Sequence, residues 1–87
     1  MPYQVAILPV ALRQLRALDP SVRVRIRARI DALAYEPRPH GVKALQGDPG
    51  TLRLRVGDYR VLYRVEDEQL VVLVVTVAHR REAYRRR

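Results

Sequence analysis

The residues best suited to chemistry are arginines set out with a period of two. Leu52, Leu54 and Val56 alternate with Arg53 and Arg55, and after Gly57-Asp58 the residues Tyr59, Val61, Tyr63 and Val65 alternate with Arg60, Leu62 and Arg64. Such alternation predicts two strands, and Gly-Asp is a plausible two-residue hairpin turn. That turn sets Val56 opposite Tyr59, Leu54 opposite Val61 and Arg55 opposite Arg60. Arg53 falls two residues along on the same face as Arg55. Like charges directly opposite on a sheet destabilise it, so a scaffold alone has no reason to gather three guanidiniums there. A guanidinium fork matches phosphate oxygens. The plain alternative is a solvated outer face, and the opposed pair favours the phosphate-binding reading. On that reading Arg60→Ala relieves repulsion, costs little packing and leaves stability unchanged or slightly raised.

A second group of polar residues closes the chain. His79-Arg80-Arg81-Glu82-Ala83-Tyr84 follows the most apolar segment and leaves the sheet where loop-borne function tends to sit. Tyr59 and Tyr63 alternate with the inward set and are expected in the core. Tyr35 is expected to pack at the end of a helix, and His40 to be a loop residue. There is no cysteine, and His40 and His79 are far apart, so neither a metal site nor a cofactor is expected.

Charge narrows the partners. Lys+Arg number 17 against 9 acids, for a net charge of +8. Such a field draws polyanions, with RNA, DNA or an acidic protein as natural candidates. Lys43 is the sole lysine; a preference for arginine can follow from coding bias, so it does not choose among those partners. At 87 residues the chain is expected to form one domain over 1–87, with no room for two cores. Phe and Trp are absent, which leaves Val, Leu and Ile to fill the interior. Apolar runs are too short to cross a membrane, and Met1-Pro2-Tyr3-Gln4 lacks a secretory pattern. A cytoplasmic location without membrane association is expected.

These side chains need a frame. Tyr3 to Leu8 alternates and reads as a first strand. Pro9 suits the first turn of a helix carrying Leu12, Leu15 and Leu18 at helical spacing. Asp19-Pro20 opens a second helix, with Asp19 as its cap. Val22, Ile26, Ile30 and Leu33 form its stripe, Arg23, Arg25, Arg27 and Arg29 lie on its other faces, and Arg27 and Asp31 are placed for an i,i+4 pair. Residues 36–50 are rich in Pro and Gly and read as a loop. Beyond the predicted hairpin, Glu66-Asp67-Glu68 makes an acidic turn. Leu70 to Val77 is apolar on both faces, as a central strand covered on both sides would be. The predicted architecture is α+β: an N-terminal strand, an antiparallel helical hairpin, then a three-stranded antiparallel meander, with the hairpin covering one face of the sheet.

The segment Leu52-Arg53-Leu54-Arg55-Val56-Gly57-Asp58-Tyr59-Arg60-Val61-Leu62-Tyr63 resembles the signature hairpin of the RelE/ParE toxin superfamily. The acidic turn, the apolar strand and the ending His79-Arg80-Arg81-Glu82-Ala83-Tyr84 extend the likeness over almost the whole chain, and the ending is similar to the RelE branch. The resemblance implies the toxin of a toxin–antitoxin pair that cuts messenger RNA on the ribosome. In that reaction the 2′-hydroxyl attacks the adjacent phosphorus and the 5′-oxygen leaves. No metal is needed, but a base, an acid and cations around the phosphorane are.

Carried over by the resemblance, Arg60 matches a phosphate-contacting arginine. Arg80, with Arg81 close behind, matches the C-terminal catalytic arginine. Tyr84 matches a tyrosine that transfers a proton or stacks on a base. Arg53 and Arg55 stand where relatives carry lysines, and with Lys43 they are the expected RNA-binding cations. Arginine stays protonated, so proton transfer would fall to Tyr84 or His79. The implied partners are the ribosome, its message and a cognate antitoxin with an acidic or amphipathic segment. Two other readings compete: a ParE-like toxin that binds and inhibits DNA gyrase without cleaving anything, and a basic nucleic-acid-binding module without toxicity.

Overall fold

The computed structural model describes residues 2–79. Strand β1 (Gln4–Ile7) leads into helix α1 (Pro9–Arg16) and helix α2 (Pro20–Ala32), followed by β2 (Lys43–Leu45), β3 (Asp48–Val56), β4 (Tyr59–Glu66) and β5 (Val71–His79). The strands form one sheet in the order β1-β5-β4-β3-β2. β1 lies parallel to β5, and the other neighbours are antiparallel. This is the expected α+β arrangement, with one strand more than predicted.

Local sequence explains the helical layer. Prolines stand in the first turn of both helices, where a missing N–H costs nothing. Asp19 occupies the N-cap of α2, but its side chain makes no capping hydrogen bond; only its carbonyl is used, accepting from the Arg23 N–H at 2.8 Å. The hairpin is closed by a side chain instead. Arg23 Nη1 donates to the carbonyls of Arg16 at 3.0 Å and Leu18 at 3.4 Å, meeting acceptors that the end of α1 leaves without helical partners. Arg27 Nε reaches Asp31 Oδ1 at 3.0 Å, as the i,i+4 spacing predicts. Ala11, Leu15, Ile26, Ile30 and Leu33 are buried against Leu54, Val56, Val61, Tyr63, Val72, Val74 and Val77 in a single core. α1 lies over β5 and α2 over β3, so both helices cover the same face. Tyr35 does not pack at the end of α2; it is 80% exposed.

Two irregularities set which side chains face which way. Between β4 and β5, Leu62 pairs with Thr76 but Tyr63 pairs with Val74, so Val75 is an extra residue. A bulge of this kind resets the alternation. Val72 and Val74 point to the core on one side of it and Val77 on the other, whereas strict alternation would bury Thr76. Between β2 and β3, Ala44 pairs with Leu52 but Leu45 with Asp48, which leaves Pro49, Gly50 and Thr51 unopposed. That larger bulge houses a proline that cannot donate to the ladder. Residues 43–45 and 48–50, expected in the loop, therefore belong to the sheet.

Past Val74, β5 has no β1 partner. The Val77 N–H donates to Gln14 Oε1 of α1 at 2.8 Å, so a helix side chain serves where the neighbouring strand stops. Among the described residues no helix is long and apolar enough to cross a membrane.

Candidate functional site

The predicted register of β3 and β4 is the observed one: Leu54 faces Val61, Arg55 faces Arg60 and Val56 faces Tyr59. β2 adds Lys43 opposite Arg53. Paired residues share a face, and residues two apart on a strand share it too. Lys43, Arg53, Arg55 and Arg60 therefore stand together on the sheet face turned away from the helices, above Leu62, Thr76 and Ala78. Two like-charged pairs oppose each other across adjacent strands, an arrangement unfavourable in itself. Such an arrangement can surround an anion with several fixed cations.

Depth differs within this set. Lys43 and Arg55 are exposed and Arg53 is half-buried, while Arg60 is only 8% exposed. The expectation that Arg60 contributes little packing is thus corrected. Alternation assigns a face but not a depth, and the residue opposite Arg60 is the small Ala78. A buried arginine contributes through its methylenes as well as its charge.

His79 does not join the cations. Its register partner is Tyr59, one residue out of phase with the Arg60–Ala78 pair. It therefore belongs to the opposite, helix-covered face, edge-on to the Tyr59 ring with centroids 5.3 Å apart. With Tyr59 it lines a hollow shared with Gln14, Ala17 and Leu18 of the α1 end. Arg80, Arg81 and Tyr84 lie outside the described residues.

The other end of the open face is built differently. Arg64 Nη1 donates to Thr51 Oγ1 at 3.1 Å and lies 3.6 Å from Asp48 Oδ1, and its Nε is 3.8 Å from Glu66 Oε2. Thr51 in turn donates to Asp48 Oδ2 at 2.7 Å. A Cβ on Gly50 would stand 2.7 Å from the Arg64 guanidinium, so glycine is what lets this arginine cross β3.

Sequence reasoning missed a further cluster. Arg38 of the Pro-rich loop makes a two-pronged pair with Asp67, at 3.1 and 2.8 Å, and Tyr3 donates to the same carboxylate at 2.8 Å. Hydrogen bonds from Arg38 and then Tyr3 hold the Asp67 carboxyl at about 2. The Tyr63 hydroxyl, buried beneath, donates to the Pro37 carbonyl at 2.6 Å, and burial pushes its pKa up to about 12. Together these contacts pin the loop that leads into β2 and so fix the strand carrying Lys43. Asp67 lies 29 positions from Arg38 and 64 from Tyr3, beyond the reach of any local pattern.

Comparison with known proteins gives a consistent result. The family model for the ParE toxin of the parDE type II toxin–antitoxin system matches residues 5–84. Toxin RelG of Mycobacterium tuberculosis is 36% identical over 87 residues, 99% of this chain and 100% of the relative. The mRNA interferase toxin RelE of Escherichia coli is 35% identical over 72 residues, 80% of this chain and 75% of that one. Among solved structures, the toxin–antitoxin complex RelBE2 from Mycobacterium tuberculosis matches with a TM-score of 0.80 at 33% identity, covering 91% of this chain and 99% of the other.

Proposed function

The chain belongs to the RelE/ParE superfamily of type II toxin–antitoxin toxins, and from that premise we propose that it cuts messenger RNA on the ribosome and is held silent by a cognate antitoxin. The observation that carries this reading is the two opposed cation pairs, Lys43 with Arg53 and Arg55 with Arg60, on one face of the sheet. Fixed cations of this kind stabilise charge that grows at a phosphate during reaction, where they act more strongly than in bulk water.

In the proposed reaction the 2′-oxygen loses its proton and attacks the adjacent phosphorus. The bond to the 5′-oxygen breaks, that oxygen takes a proton, and a 2′,3′-cyclic phosphate is left. Lys43, Arg53 and Arg55 neutralise the phosphate, and Arg60 meets the phosphorane from the sheet. Arg80, or Arg81 beside it in sequence, supplies a further cation. Arginine stays charged at any working pH, so none of the arginines is the base. His79 stands on the far side of the sheet, and proton transfer is assigned to Tyr84.

The helical side supports the antitoxin. A groove of about 600 Å³ runs between α1 and α2, floored by Leu12, Leu15 and Ala28 and edged by Arg16, Arg23, Arg27 and Asp31, with Arg27 and Asp31 paired. Val24 beside it is 69% exposed. An amphipathic segment with acidic flanks fits such a surface, and the RelBE2 structure is that of a toxin–antitoxin complex.

The ends of the cleaved message are the test: the reading expects a 2′,3′-cyclic or 3′-phosphate, and a 3′-hydroxyl contradicts it. The matching model's ParE description favours a second reading, a gyrase inhibitor that cuts nothing. Inhibited supercoiling together with intact ribosome-bound message would establish that one instead.

A further inference from the structure

The chemistry above leaves two arginines of α2 unused. The four that alternate along this helix divide into two sides. Arg23 and Arg27 edge the groove beside α1. Arg25 and Arg29, spaced i,i+4 and so neighbours on the helix surface, lie on the side next to β3. Arg29 lines a hollow of about 180 Å³ with Leu33, Pro39 and Leu54. Arg25 reaches the β3–β4 turn, where its Nη2 is 3.0 Å from the place a Cβ would take on Gly57. Gly57 has φ +58, a conformation that favours glycine, and the missing side chain leaves the guanidinium room against the turn. Both arginines are exposed.

The same stretch of β3 is open. β2 pairs with β3 only as far as Arg53, so no described strand covers the outer edge from Leu54 to Val56. Arg55 rises from this stretch onto the open face, while Arg25 and Arg29 approach it from the helix layer. The carboxylates nearby are Asp58 in the turn and Glu36 in the Arg29 hollow. At the opposite end of the face, Asp48 and Glu66 gather around Arg64. An RNA strand longer than the face must leave it over some edge. At the Arg64 end two carboxylates stand against one arginine, and beside β3 the arginines Arg25, Arg29 and Arg55 outnumber the two carboxylates, so the field draws phosphates toward the β3 side.

On the reading that the open face takes RNA, we propose that Arg25 and Arg29 bind backbone phosphates of the same strand flanking the one that is cut, as it leaves over the open edge of β3. The contacts are to phosphate alone and carry no base preference.

The test uses the full chain and 2′-O-methyl RNA, which lacks the attacking hydroxyl, at two lengths of about four and about twelve nucleotides, the range one small domain spans. Binding is followed across salt concentration. Arg25→Ala and Arg29→Ala are each expected to weaken the long RNA and reduce its salt slope by about 0.7, the value for one lost phosphate contact on a single strand. Neither should change the short one, and Arg25→Lys should retain the parent slope. Arg55→Ala should weaken both lengths. Arg13→Ala on α1, which lies over β5 rather than β3, should leave both slopes as they are. If the two α2 variants match the parent on the long RNA while Arg55→Ala does not, the inference is overturned and the RNA face stands. An Arg55→Ala variant that also matches the parent removes the RNA face itself. Equal weakening of short and long RNA by the α2 variants would put them on the cleavage face and contradict an exit path.

Discussion

Arg55 and Arg64 project from neighbouring strands onto the same face of one sheet, and their surroundings are opposite. Arg64 is surrounded by Asp48, Thr51 and Glu66, and Gly50 makes way for it. Arg55 faces Arg60, with Arg53 two residues away and Lys43 beyond it. One end of the face thus gathers carboxylates around its arginine, and the other sets cation opposite cation across neighbouring strands. An arginine inside a satisfied pair has its charge spent within the fold. Opposed like charges are unfavourable in the free protein, and on the proposed reading an arriving phosphate would ease that repulsion at Arg55. The same division recurs at the loop, where Arg38 is held by Asp67 and serves the scaffold.

The largest expected effect breaks the cation end. Arg60→Ala should slow cleavage of ribosome-bound message by about 10²–10³, the usual cost of losing one fixed donor to a transition state. Because Arg60 is 8% exposed, the same change should also lower stability, by about 1–3 kcal/mol as buried substitutions commonly do. Cleavage rates with thermal melts check both. A variant that is destabilised yet cuts at the parent rate would make Arg60 purely structural.

Tyr63→Phe probes the frame below the face. It removes the hydroxyl that donates to Pro37 and leaves a carbonyl short of a partner, a loss of about 1 kcal/mol. Denaturant melts should show it, with cleavage unchanged in the folded protein.

The clamp on the loop gives a pH dependence. Asp67 sits at about 2 in the fold against an ordinary 3.8. A depressed carboxylate contributes stability above its unfolded pKa and loses it as pH falls through the folded one. Melting temperature should therefore decline between about pH 4 and pH 2 by more in the parent than in Asp67→Asn. As the clamp is exposed, the difference should be small, and equal declines would mean that Asp67 adds nothing.

The hairpin was legible in the sequence because period-two alternation and a two-residue turn fix register without any tertiary knowledge. That was enough to oppose Arg55 and Arg60. The helix stripe from Val22 to Leu33 was legible for the same reason at a different period. What escaped depends on irregularity or on distance. Pro49 and Gly50 read as loop, yet a bulge lets them sit in a strand, and with β2 missed Lys43 had no assigned neighbour. The bulge at Val75 reverses facing without any residue that announces it. The pairing of His79 with Tyr59 is fixed only by the β4–β5 ladder, which no local pattern supplies. Depth at Arg60 is a property of what surrounds it, and Tyr3, Arg38 and Asp67 meet only once the sheet is assembled.

The contrast between the two ends is tested most directly by cleavage rate on translating ribosomes for Arg55→Ala beside Arg64→Ala, each with its melting temperature. Arg55→Ala should cut more slowly than the parent with a melting temperature unchanged or slightly raised, since opposed like charges are worth roughly 0.2–1 kcal/mol. Arg64→Ala should cut at the parent rate with a slightly lowered melting temperature. An Arg55→Ala variant that keeps the parent rate, or an Arg64→Ala variant that loses it while still folded, would contradict the placement of the RNA site at the cation end of the sheet.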